Sequence, residues 1–238
     1  MKRSLLSGFG LLLAGSVGLA DTTIDTTGPS LWNTGISFGP FGNAPAAVAT
    51  FGQVVTVPAT DTRLTAFKFE LNPNLNVTAT QLRFYVFAWD NADSHTTGSA
   101  LHTGAIQTSF LDGWQLAGLD SLSLDLTAGS KIILVGSTEE ITDSVPGTVE
   151  VGLATLGSPD AYADGAAFTT TFNGGNISSF ASAWSELNGG EHSDFAFTAD
   201  FTAPPVPDVP EAGTVAAGIG LVVASAGLAW RRSRSARA

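Results

Sequence analysis

The sequence predicts an all-β fold: an antiparallel β-sandwich, jelly-roll-like, between an N-terminal signal peptide and one C-terminal transmembrane helix. Three observations predict it. Short segments alternate apolar and polar residues at the period of a half-buried strand. Clusters of Gly, Asn, Asp, Ser and Pro separate them, which is turn chemistry. Between residues 21 and 202, no segment keeps a helical apolar period for three turns.

The elements follow in chain order. Residues 52–57 form the first strand candidate. Residues 64–71 place Phe67, Phe69 and Leu71 on one face and Lys68 and Glu70 on the other. Residues 82–89 are apolar on both faces apart from Arg83, so a central strand is expected. Residues 122–126, 131–136, 149–153 and 167–172 add four more candidates. Residues 194–201 close the series, with Phe195, Phe197 and Phe201 pointing inward. Many short strands divided by turn signals argue for a sandwich.

The two ends read differently. Lys2 and Arg3 precede a short apolar run over residues 5–19, and Gly18-Leu19-Ala20 supplies the small residues that a signal peptidase reads. Residues 1–20 are therefore expected to be a signal peptide and 21–202 the ectodomain. Residues 203–210 hold four prolines, which favour an extended, semi-rigid linker. Residues 213–230 carry no charge. As a helix they would rise about 27 Å, against a hydrocarbon core about 30 Å thick. Trp230 suits the membrane interface, and Arg231, Arg232, Arg234 and Arg237 follow with no acid among them, forming a cytoplasmic stop.

The order of Val209-Pro210-Glu211, apolar span and Arg-rich end resembles the PEP-CTERM sorting signal of Gram-negative bacteria. Ala212 stands where that signal usually has a second proline. The resemblance implies that an exosortase-type transpeptidase cuts near the motif. It also implies anchoring in the inner membrane, followed by transfer to the cell surface or extracellular matrix. The ectodomain is similar to a recurring all-β ectodomain of PEP-CTERM proteins. The segments carrying this likeness include Phe-Gly-Gln-Val-Val-Thr-Val-Pro (51–58), Phe-Tyr-Val-Phe-Ala-Trp-Asp (84–90), Ala-Gly-Ser-Lys-Ile-Ile-Leu (128–134) and Asp-Phe-Ala-Phe-Thr-Ala-Asp-Phe (194–201). That resemblance implies a fold and an export route and supplies no catalytic residue.

Charge narrows the partners. The ectodomain and linker hold twenty acids against Arg63, Lys68, Arg83 and Lys131, a net charge of −16. Such a surface repels nucleic acid and anionic polymers and gathers cations. The absence of cysteine removes disulfides, thiol catalysis and thiolate metal sites. Stability then rests on the core, and a domain this size can bury roughly 70% of its unfolded surface.

Candidate sites are few. Asp90, Asp93 and His95 crowd one loop, where the carboxylates and backbone carbonyls suit Ca²⁺; an Asx-capped polar turn is the alternative and the favoured reading. Glu191, His192 and Asp194 form a second polar cluster, and Asp160 and Asp164 flank Tyr162; solvated turns are the alternative for both. Of Trp32, Trp89, Trp114 and Trp184, Trp89 and Trp114 are candidates for stacking on a sugar, with a place in the core as the alternative. No Gly-x-Ser-x-Gly elbow, His-Glu-x-x-His helix or phosphate loop occurs. With twenty acids, some carboxylate pair is inevitable, so the pattern of a glycosidase has no specificity. The expectation is an exported, envelope-anchored structural or interaction protein rather than an enzyme. A carbohydrate-binding module recognising extracellular polysaccharide is the alternative, and a glycan hydrolase comes third.

Overall fold

The computed structural model describes residues 21–28, 35–38, 50–73, 81–111, 113–137, 149–155, 160–170, 184–187 and 193–205. The signal-peptide segment, the Val209-Pro210-Glu211 motif, the apolar span and the terminal arginines lie outside the described residues, as do Trp32, Glu191 and His192. The chain divides into two units, Met1–Pro204 and Pro205–Ala238.

In chain order the strands are β1 (Thr22–Asp25), β2 (Gly35–Phe38), β3 (Thr50–Thr56), β4 (Arg63–Pro73), β5 (Arg83–Asp90), β6 (His95–Thr103) and β7 (Gln115–Leu119). They continue with β8 (Leu124–Asp125), β9 (Lys131–Ser137), β10 (Val149–Thr155), β11 (Ala167–Thr170), β12 (Ser185–Glu186), β13 (Asp194–Phe195) and β14 (Phe197–Thr202). The first sheet is built around β4. β14 and β10 follow one another along one edge of β4, and β7 and β8 along the other. β1 lies outside β14, while β2 and β13 pair with β10. The second sheet runs β12-β11-β3-β9-β5-β6. All these pairings are antiparallel.

Alternation along β4 explains how the sheets meet. Phe67, Phe69 and Leu71 point one way and are buried, joined there by Phe197 and Phe201 of β14. The second sheet answers with Phe51, Val55, Phe84, Val86, Ile132 and Leu134. Phe51 meets Phe69 edge-on at 5.0 Å between ring centroids, and Phe67 meets Phe84 in the same way at 6.2 Å. Edge-to-face geometry suits the ring quadrupoles, and each buried Phe contributes roughly 1.5–3 kcal/mol through burial alone.

The second sheet is also buried on its other face. Val54, Tyr85, Phe87, Trp89, Ile133, Val135 and Phe168 form a separate apolar cluster with Trp184. β5 therefore lies between β9 and β6 with apolar residues on both faces, as the unbroken run at 82–89 predicts.

Two departures have local causes. The expected final strand is interrupted at Ala196, where Thr26 takes over part of the ladder. Its hydroxyl donates to the Phe195 carbonyl at 2.8 Å and accepts from the Phe197 amide at 2.9 Å. In the 122–126 candidate only Leu124–Asp125 is strand, held at β4 by a two-pronged Arg63–Asp125 ion pair at 2.6 and 2.9 Å, while the Leu122 and Leu126 amides donate to the Thr65 and Thr62 carbonyls at 2.7 and 2.9 Å.

β1, β2, β6, β7 and β12 are not anticipated by the sequence pattern. β6 is polar and small because, among the described residues, it closes one side of its sheet and pairs with β5 alone. β7 carries Gly118 because a Cβ there would stand 2.1 Å from the Phe67 carbonyl oxygen.

Candidate functional site

Three regions gather chemistry. The first is the β5–β6 turn, a four-residue reversal in which Ser94 adopts a left-handed φ of 49°. Asp90 ends β5, and its Oδ1 accepts the Ala92 amide at 2.8 Å, an Asx turn. Asp90, Asp93 and His95 each bring one ligand atom to within 4.8 Å of the others. The local spacing therefore does unite the three residues. Their donor set is mixed: two carboxylates suit Ca²⁺, whereas an imidazole suits transition metals. The cluster is solvent-facing, and one oxygen of Asp90 already serves the turn.

The second region is buried. Asp194, on β13, is fully enclosed. Its Oδ1 accepts from Gln53 Nε2 at 2.8 Å and its Oδ2 from the Tyr162 amide at 2.7 Å. Asp160 Oδ1 accepts that same Tyr162 amide at 3.1 Å, so two carboxyl groups converge on one N–H. Like charges this close cannot both ionise freely. Burial, followed by the hydrogen bond with Asp160, pushes the Asp194 carboxyl up to about 7. Gln53 also accepts the Phe195 amide at 3.0 Å, which ties β3 to β13. Tyr162 turns its hydroxyl onto the Thr56 amide at 3.1 Å, and burial raises its phenol further above its ordinary range. Beside it lies an open, mainly apolar groove of about 610 Å³ lined by Ile24, Val57, Pro58 and Tyr162.

Asp194 thus partners Asp160 among the described residues, whereas sequence order groups it with Glu191 and His192. Asp164 contributes its carbonyl, which accepts Thr56 Oγ1 at 2.9 Å. Sequence reasoning missed Gln53, although a lone amide inside an apolar strand was a usable signal.

The third region is the outer face of the first sheet. Glu70 and Asn72 alternate outward from β4, since Phe69 and Leu71 face the core. Glu70 sits opposite Leu116 in register, and Leu71 sits opposite both Gln115 and Val151. Trp114 is 42% exposed, and Leu116 and Leu111 are exposed as well. Partial burial, and then the nearby charge of Asp25, push the Glu70 carboxyl up to about 7.

The two candidate stacking residues have opposite fates. Trp89 is 7% exposed and packs on Phe168 at 4.7 Å and Trp184 at 6.1 Å. A ring enclosed in this way offers no face to a sugar, so the stacking role expected of Trp89 is corrected to a core role. Trp114 keeps an open surface.

No family model matches the chain, and no curated protein matches it. Among solved structures, the chain is similar to a variant of the clostridial cysteine protease Cwp84 after propeptide cleavage, with a TM-score of 0.44 and 14% sequence identity. That likeness covers 70% of this chain and 40% of the protease chain.

Proposed function

We propose that this chain is an exported, cell-envelope-anchored structural or interaction protein. One observation carries the reading: a cysteine-free two-sheet unit, closed by its own apolar cores, lies between a signal-peptide-like start and a membrane-length span ending in arginines. The division into two units at Pro204/Pro205 falls within the expected Pro-rich linker. Repeated crossing of the chain between sheets, from β3 to β4 to β5 and from β8 to β9 to β10 to β11, supports a jelly-roll type of sandwich. In this reading an exosortase-type transpeptidase recognises Val209-Pro210-Glu211, and the protein works through contacts rather than catalysis.

Fractionation of the expressing cell, with intact mass and N-terminal sequencing, tests the reading. The expected mature N-terminus is Asp21, in the membrane or surface fraction. A soluble cytoplasmic protein starting at Met1 would sink it.

A carbohydrate-binding module is the second reading. It is favoured by Trp114, half-exposed on a sheet face that also presents Glu70 and Asn72.

A further inference from the structure

We propose that the outer face of the first sheet is a platform for an uncharged polysaccharide, with the Trp114 indole as its floor and Glu70 and Asn72 as its polar contacts. The inference rests on the second reading above and gives it a site and a ligand class. Trp114 immediately precedes β7, which lies along one edge of β4, while β10 lies along the other. Two inter-strand spacings of about 4.8 Å each separate β7 from β10. Yet a Cβ placed on Gly152 of β10 would stand 3.3 Å from Trp114 Cζ3. The indole therefore reaches across β4 to the far strand. With the residue 42% exposed, that reach would let the ring serve as a floor along the sheet. Gly152 matters here because any side chain would occupy the end of the ring's seat.

A flat aromatic floor with polar groups beside it matches a pyranose. The sugar's C–H face packs on the ring, and its hydroxyls bond to the carboxyl and amide. Leu116 and Leu111 extend the apolar surface along β7 and the loop before it. Glu70, with its carboxyl pushed up to about 7, carries a proton part of the time at neutral pH and can donate as well as accept. Charge selects among sugars. A net charge of −16 over the ectodomain and linker opposes polyuronates and phosphorylated glycans, leaving neutral chains.

The test uses the full-length chain in detergent with cellohexaose, maltohexaose, laminarihexaose and chitohexaose, and with polygalacturonate as the anionic control. Calorimetry and tryptophan fluorescence follow binding, and light scattering follows mass. At least one neutral hexasaccharide should bind with a change in indole emission, and polygalacturonate should not. Trp114→Ala should weaken binding about tenfold or more while the chain still unfolds in a single cooperative transition. Gly152→Val, which lifts the ring while keeping it, should also weaken binding. Unchanged binding in Trp114→Ala would overturn the platform and leave the carbohydrate reading standing. Binding to none of the hexasaccharides would overturn both. Preference for polygalacturonate would overturn the charge argument. A dimer that Trp114→Ala converts to monomer, with no sugar bound, would make this face a self-association surface and overturn the proposal.

Discussion

Trp89 and Trp114 are the same residue type at opposite ends of the burial scale, and the two sheets account for the difference. The second sheet is apolar on both faces, so Trp89 disappears into a cluster with Phe168 and Trp184. The first sheet buries one face and shows the other, where polar Lys68, Glu70 and Asn72 alternate along β4 and Trp114 lies among them. An aromatic residue signals a binding surface only where its strand alternates. Where the strand is apolar on both faces, the same residue signals core.

The sharpest way to break this comparison is truncation. Trp89→Ala should cost about 3–5 kcal/mol, the range for emptying a packed aromatic site, read from the denaturant midpoint at constant m. A cost below about 1 kcal/mol would mean that the outer face of the second sheet is not a true core.

A pH titration sharpens the comparison where β13 of the first sheet meets β3 of the second. In the folded chain Asp194 holds its proton up to about pH 7, whereas an unfolded aspartate loses it near pH 4. Between those values the folded chain binds more protons than the unfolded one. Stability should therefore fall as pH rises through that window and level off above it. Asp194→Asn keeps a neutral side chain in place and should reduce the slope, leaving the share of Glu70, whose carboxyl is also raised to about 7; an unaltered slope would assign it to other groups.

A smaller effect is expected at the β5–β6 turn. Ca²⁺ should raise the melting temperature by relieving self-repulsion among acids, and NaCl should reproduce the rise, since the Debye length shrinks to about 3 Å at 1 M salt. A saturating Ca²⁺ shift that survives NaCl and disappears in Asp90→Asn or Asp93→Asn would replace screening with a specific site. Trp114→Ala should cost less than Trp89→Ala, about 1–2 kcal/mol in chemical denaturation, because only part of its ring is covered. A cost like that of Trp89→Ala would erase the distinction between the two residues.

Much of this contrast was legible before any coordinates. The outward row of Lys68 and Glu70 opposite Phe67 and Phe69 marks β4 as one-sided, and the unbroken run at 82–89 marks β5 as buried on both faces. That same run already argued for a buried Trp89. Edge strands were illegible for a physical reason: among the described residues β1 and β6 pair on one side only, and such strands need little apolar surface. The Asp160–Asp194 convergence was equally hidden, because residues far apart in sequence meet there and nothing local marks either as a partner. Asp90, Asp93 and His95 could be grouped because a single turn holds all three.

The two ends of β4 carry a mechanical consequence. Thr202, where the chain leaves the sheet, lies opposite Arg63 at the start of β4, whereas Trp114 lies beyond Gln115, toward the Asn72 end. A load between the departing chain and the Trp114 face runs along the strands and pulls β14 lengthwise past β4. In that direction the ladder bonds are strained together and must fail together. Pulling Thr22 away from Phe201 instead opens the β1–β14 ladder one bond at a time, because those residues sit side by side at its end. Force spectroscopy with handles at Trp114 and Thr202 should record a higher rupture force than handles at Thr22 and Thr202, and equal forces would show that the strand geometry does not govern failure. A sheet loaded along its strands resists tension best.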